Sequence, residues 1–328
     1  MHYIHNPSRN PYFNLALEEY TLRGLPKEHT YFMLWQNDPA IIIGAGQNTE
    51  DEINSAFVRR RGIHVVRRRS GGGAVYHDQG NLNFSFVTDR SGGKAFDFKR
   101  FTQPVIRTLH KLGISSAFSN RNDLVLAGRK FSGNAQYVTK DRLLHHGTLL
   151  VYSNLDNLQR ALSVSQDKLK SKGIHSVKSR VTNISDHLGE RLPVEQLKTL
   201  LLTAIAEGEK EMAEYRLTSR DLRAVHRLMQ DRYLRRDWSF GSYARFNVRR
   251  EHRFAAGKVE TRMRVSGGRI QGCKFYGDFF GHGDLATFEN LLTGHRRDRS
   301  EIKDLLEGVE VDHFFHGIGR QGLADLIV

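Results

Sequence analysis

The chain has 328 residues, 39% of them hydrophobic and 10% aromatic, and carries a formal charge of +14 at neutral pH. That is enough for a large domain with a core plus a smaller one, and the field favours an anionic partner: nucleic acid, nucleotide, an acidic protein or a membrane surface. A lone cysteine, Cys273, excludes an internal disulfide and a multi-cysteine metal site, and suits a reducing compartment.

The N-terminal MHYIHNPSRNPYFN has no apolar run of the kind a secretory signal needs, and no stretch approaches the roughly 20 apolar residues of a membrane span. A cytoplasmic protein is expected. YFMLWQN (31–37) and AIIIGAG (40–46) read as buried strands, and EINSAFVRRRG (52–62) as a helix ending on Gly62. HVVRR (64–68) is a further strand leading into Ser70 and three glycines. NLNFSFV (81–87) alternates, with Leu82, Phe84 and Phe86 on one face. DFKRFTQPVIRTLHKLG (97–113) reads as a helix with Pro104 inside it, and NDLVLAGRKFSGNAQYV (122–138) as a hairpin turning at Ala127-Gly128-Arg129.

LLHHGTLLVY (143–152) is the next strand, followed by helices over 155–162, 193–209 and 219–233. Beyond about residue 240 the pattern changes to strands turning at Ser266-Gly267-Gly268, then two helices, LATFENLL and RSEIKDLLEG. Residues 216–270 hold fifteen Lys and Arg against five Asp and Glu, so most of the net charge lies in this last third. It is either a solvated basic surface or a face for an acidic partner.

Four local patterns carry chemistry. Three glycines after a strand let the main chain approach a ligand, and their N–H groups can converge on phosphate oxygens; a plain turn fits them as well. No G-K-[ST] follows, which excludes a Walker loop, and Ala74-Val75-Tyr76-His77 reads as strand, which excludes a dinucleotide fingerprint. Lys130, in AGRKFSGNAQ (127–136), is a point charge for phosphate or carboxylate, or a solvated hairpin lysine. His145 and His146 interrupt an apolar strand, so one of them must face the interior, as a core or a catalytic histidine. KSKGIHSVKSRVTN (170–183) reads as a long basic loop carrying Lys172, Lys178 and Arg180, a lid or a surface segment.

Taken in order, RRxSGGGAVYHDxGNLNFSF, RNDL, GRKFSGNAQ, HHGTLL and KGIxSVxSRVTN resemble the lipoate–protein ligase family, as do PYFNLALEEY and IIIGAGQNTEDEIN before them. The resemblance runs from about residue 10 to residue 185, and FYGDFFGHGD resembles that family's accessory domain. It implies an α/β (α+β) fold: a biotin/lipoate ligase-like catalytic domain over 1–240, with a mixed, mostly antiparallel sheet packed by helices, and a small α+β accessory domain over 241–328. It implies activation of lipoate with ATP and Mg²⁺ to lipoyl-AMP. The acyl group then passes to a lysine of an acidic carrier domain, in 2-oxo acid dehydrogenases or the glycine cleavage system.

By the same resemblance, Arg68 and the stretch Gly71, Gly72, Gly73, Ala74, Val75, Tyr76 contact ATP, with Asn122 and Asp123 near the nucleotide and Lys172 and Arg180 on the closing segment. Lys130 bridges the acyl carbonyl and α-phosphate as the catalytic residue. Trp35, Gly44, Val75, His77 and His146 border the lipoate slot. Asp123 is a candidate Mg²⁺ ligand or guide for the incoming amine. Two positions depart from the family pattern: Ala45 stands where a cation is usual, and Arg69 where a small or apolar residue is usual. Related transferases need an active-site cysteine, which favours the ligase here. The alternatives are a ligase preferring octanoate or another medium-chain acid and, in a different class, a basic nucleic-acid-binding protein, for which no recognition motif is present.

Overall fold

The computed structural model describes residues 1–90, 97–119, 122–163, 180–209, 211–241 and 246–328. They fall into two compact units: Met1–Ile43, Glu50–Arg67 and Ala74–Ser239 form one, and Gly44–Thr49, Arg68–Gly73 and Phe240–Val328 the other.

The first unit contains strands β1 (His2–Tyr3), β2 (Tyr31–Trp35), β3 (Ala40–Ile43), β4 (His64–Arg67), β5 (Val75–His77) and β6 (Asn81–Asp89). They are followed by β7 (Ser116–Phe118), β8 (Asp123–Leu126), β9 (Arg129–Val138), β10 (Arg142–Leu150) and β11 (Ala213–Glu214). Eight of these make one sheet in the order β11-β1-β2-β6-β10-β9-β8-β7, and a second sheet runs β4-β3-β5. Among the described strands, β11–β1, β1–β2 and β3–β4 pair in parallel and the other pairs are antiparallel, so the sheet is mixed and mostly antiparallel, as expected.

Both faces of the large sheet are covered. Phe32, Leu82, Phe84 and Phe86 meet Phe101, Val105, Leu197 and Leu201 of helices Phe98–Lys111 and Val194–Ala206. Tyr31, Met33, Val87 and Leu144 meet Leu15 and Leu22 of helix Pro11–Gly24 and Ile42 and Val66 of the small sheet. Burial of β6 on both faces overrides its alternating pattern: Asn81, Asn83 and Ser85 are as enclosed as the phenylalanines between them. His145 and His146 are likewise both buried, where strict alternation against solvent would have enclosed one.

Local chemistry sets the ends. Asn10 caps helix Pro11–Gly24 with Pro11 in the first turn, Asp97 caps Phe98–Lys111, and Gly62 takes the left-handed conformation after Ser55–Arg61. The segment read as one helix over 219–233 is α-helical over Ser219–Leu228 and continues as a π turn, Met229–Tyr233. The hairpin turn at Ala127-Gly128 has both residues at positive φ, matching the twist of the flanking strands.

The second unit holds an antiparallel sheet of β12 (Val248–Phe254), β13 (Gly257–Ser266) and β14 (Arg269–Gly277). Its core gathers Val259, Met263, Phe275, Phe288, Ile302, Phe315 and Leu323. Four helices follow the strands rather than two: Leu285–Leu292, Arg299–Glu307, the short Val311–Phe314, and Arg320–Ile327. The last contains Gly322, a poor helix former on propensity, because Phe254 packs where its Cβ would lie, 2.6 Å away.

Candidate active site

Strand register builds a row of residues across one face of the large sheet. Trp35 lies opposite Asn83, and Asn83 opposite Thr148. The Thr148 hydroxyl meets the main chain of Gly133, which in turn lies opposite Asp123. The neighbouring row reads Met33, Ser85, His146, Ala135.

At the Trp35 end the polar groups are linked. The indole Nε1 donates to Ser85 Oγ at 2.8 Å, and Ser85 donates to Glu18 Oε1 at 2.5 Å. His146 Nδ1 lies 3.0 Å from the same carboxylate oxygen. His77 sits edge-on to Trp35, with its Nδ1 3.0 Å from the Asn37 amide, and Val75 packs against the same core. Trp35, Val75, His77 and His146 are therefore neighbours. Glu18 and Ser85 were not foreseen. The signal was two acids inside an apolar helix, LALEEY, both of which are 2% exposed.

At the other end stands Lys130. Residues 130 and 133 would project to opposite faces of a regular strand. A bulge in β9, where the register with β8 shifts between Leu124 and Val125, removes that conflict. Phe131 enters the core, while the Lys130 ammonium lies over Gly133, where an added Cβ would be 2.6 Å from Nζ. Nζ pairs with Asp123 Oδ1 at 2.6 Å, and Arg180 approaches Asp123 Oδ2 at 3.3 Å.

The main chain of Lys130 is fixed from its other side, its carbonyl accepting the Thr182 N–H at 2.9 Å. Asn122 exchanges hydrogen bonds with Asn134, its own amide donating to the Asn134 carbonyl at 2.6 Å. Lys172 and Lys178 lie outside the described residues.

The glycine loop and Gly44 belong to the second unit. Arg68 is buried and curls back over its own loop, donating to Ser70 Oγ and to the carbonyls of Gly71 and Gly73 at 2.6–2.9 Å. Gly72, at φ +88°, donates its N–H to the Phe279 carbonyl at 3.3 Å. A side chain at Gly44 would meet the Gly72 carbonyl at 2.0 Å, and one at Gly71 the Phe279 carbonyl at 2.4 Å, so these glycines are required by close main-chain approach. Ala45 is exposed and donates its N–H to Ser70 O. Arg67, which sequence reasoning gave no role, clamps the Trp238 and Ser239 carbonyls within the first unit. Tyr76 is buried in the small sheet, where burial and nearby Asp78 push its phenol to about 12.

The lone thiol is far from reactive: burial and Glu289 raise Cys273 to about 12. A lysine and an arginine at one end of a sheet face suit an anionic substrate, and a buried thiol is a poor nucleophile for a thioester. Residues 10–206 match the lipoyl protein ligase A/B catalytic domain, and residues 244–327 the bacterial lipoate protein ligase C-terminus.

Lipoate-protein ligase LplJ of Bacillus subtilis is 46% identical over the whole of both chains. A structure from the structural analysis of an archaeal lipoylation system, a bipartite lipoate protein ligase and its E2 lipoyl domain from Thermoplasma acidophilum, aligns with TM-score 0.66 and 26% identity over 75% of this chain and 98% of that one. A lipoate-protein ligase A bound with ATP aligns with TM-score 0.62 and 25% identity over 73% of this chain and 98% of that one. The chain belongs to the lipoate–protein ligase family. Its reaction is the ATP-dependent activation of lipoate and transfer of the lipoyl group to a lipoyl domain.

Proposed function

We propose that Lys130 is the catalytic cation of both half-reactions. In the first, a lipoate carboxylate oxygen attacks the α-phosphorus of ATP, the bond to the leaving pyrophosphate breaks, and lipoyl-AMP forms. In the second, a carrier lysine amine attacks the acyl carbonyl, the bond to AMP breaks, and the amine's surplus proton is released. Both steps gather negative charge on the carbonyl and phosphate oxygens, which a compact ammonium held on a rigid strand stabilises. The observation that carries this reading is the placement of Lys130 Nζ over Gly133, in the row that begins at Trp35.

Three strand spacings separate the two ends, about 14 Å, a length suited to a medium-chain acyl group. On this reading Trp35, Val75, His77 and His146 border the acyl chain within the first unit. Asn122, Asp123 and Arg180 stand at the nucleotide end, whereas Ala74 and Tyr76, which flank Val75, continue the ATP-contacting stretch from the small sheet. In the second unit, Arg68 and Gly71–Gly73 bind phosphate through guanidinium and main-chain donors. Residues 1–240 then carry the lipoate and ATP chemistry, and 241–328 serve as the accessory part. Mg²⁺ accompanies the triphosphate, held mainly by its phosphate oxygens. Among the described residues no group of three or more His, Cys, Asp or Glu is placed to hold a metal ion, and both Asp123 oxygens face cations.

The carrier is a lipoyl domain of a 2-oxo acid dehydrogenase or the glycine cleavage H protein. An acidic one would be drawn by the basic last third of the chain. A buried lone thiol fits a cytoplasmic enzyme, and no described helix is long and apolar enough to cross a membrane.

Lipoate-dependent exchange of labelled pyrophosphate into ATP tests the assignment. The native chain exchanges with lipoate, more weakly with octanoate and not with biotin. Lys130→Ala loses exchange by at least a hundredfold with an unchanged melting temperature; full exchange in that variant removes the central role of Lys130.

A further inference from the structure

We propose that Asp123 is the resting counter-ion of Lys130. The anionic substrate must displace this carboxylate, which makes Asp123 a positioning residue that governs how tightly the adenylate is held. The inference rests on the reading of Lys130 given above and adds to it a partner exchange.

The geometry is specific. Asp123 stands directly across the ladder from Gly133, and because Gly133 has no side chain, the Lys130 tail fills the hollow between them. Nζ meets Oδ1 at 2.6 Å, both side chains being only partly exposed, at 24% and 16%. Arg180 takes Oδ2 from the opposite side. Val181, the residue after Arg180, bridges to Lys130 in parallel fashion, so the two cations are tied to one another through the main chain as well as through the carboxylate.

Lys130 and Arg180 both face this carboxylate. An acyl-phosphate oxygen that reaches Nζ competes with Oδ1, and the displaced carboxylate then lies near an anion, which weakens the bound state. An ammonium with no internal partner would instead bind the adenylate tightly and release it slowly, a poor arrangement for an enzyme that must pass the acyl group on. Asp123 thus trades ground-state affinity for turnover, while keeping Nζ aimed over Gly133 when no ligand is present.

The test compares Asp123→Asn and Asp123→Glu with the native chain in complete lipoyl transfer to a purified lipoyl domain. It includes a Mg²⁺ titration and a thermal melt of each variant. Asp123→Asn, which keeps shape and removes charge, is expected to lower both KM for lipoate and kcat about tenfold, leaving kcat/KM nearly unchanged. Asp123→Glu should return both parameters toward native values. A merely structural residue would lower kcat/KM together with the melting temperature, and that outcome overturns the proposal. So does a variant whose only change is a higher Mg²⁺ requirement, which would make Asp123 a metal ligand. Lys130→Ala runs alongside. Loss of adenylation there with a native-like Asp123→Asn sinks the counter-ion alone, whereas retained adenylation in Lys130→Ala sinks the reading of Lys130 on which it rests.

Discussion

His145 illustrates how much one position can carry. It is fully buried, stacked on Phe101 at 4.7 Å and near Phe84 at 5.7 Å, and its Nδ1 lies 3.1 Å from the Gln136 amide. Burial, and secondarily the charge of His146, hold its imidazole well below the ordinary 6.5. The unfolded chain takes up a proton there near 6.5 while the folded chain does not. Its contribution is therefore full above that pH and is lost progressively as pH falls below it toward the lowered folded value. Between pH 7 and 5.5 the melting temperature should fall less steeply in His145→Leu than in the native protein. Calorimetry giving equal slopes would discard this account.

At this scale the sequence was partly legible. Lys130 and the histidine pair stood out as residue types that do not belong in an apolar strand. Glu18 and Ser85 did not, because a buried carboxylate reads as a surface one until its partners, 67 and 128 residues away, are known.

Among elements, the β8–β9 hairpin was legible from Ala127-Gly128, whereas its bulge was not: one extra residue leaves no mark in composition but decides which face Lys130 takes. Two glycines in adjacent strands make a useful contrast. At Gly133 a methyl group would meet the end of a flexible lysine tail; at Gly147 it would meet Asn134 Oδ1 at 2.2 Å and the Phe84 ring at 2.5 Å. Gly133→Ala should therefore cut lipoyl-AMP formation at least tenfold with little loss of stability. Gly147→Ala should cost roughly 1–3 kcal/mol of stability through overpacking. Urea unfolding combined with pyrophosphate exchange separates the two, and equal stability losses would count against the distinction.

For the molecule as a whole, the surprise lies in two short segments. Gly44–Thr49 and Arg68–Gly73 interrupt the first unit in sequence but belong with the second, where Gly277 donates its N–H to Gly46 O and Gly72 donates to Phe279 O. A split drawn along the sequence at residue 240 has no means of moving them, since only pairing over some two hundred residues does so. A chain ending at Gly241 retains both cores of the first unit. It should melt cooperatively, with the amides of β6 and β10 as slow to exchange hydrogen as in the full chain. The amide of Gly72 should exchange much faster, and mass spectrometry finding it equally slow would refute the assignment of this loop.

Cys273 has a practical consequence. Because the chain's one sulfhydryl is enclosed and stays protonated at neutral pH, the native surface is silent to maleimide dyes. A cysteine placed at exposed Ala45 can thus take a single fluorophore without prior removal of a native thiol, and report in real time on the segment that joins the glycine loop.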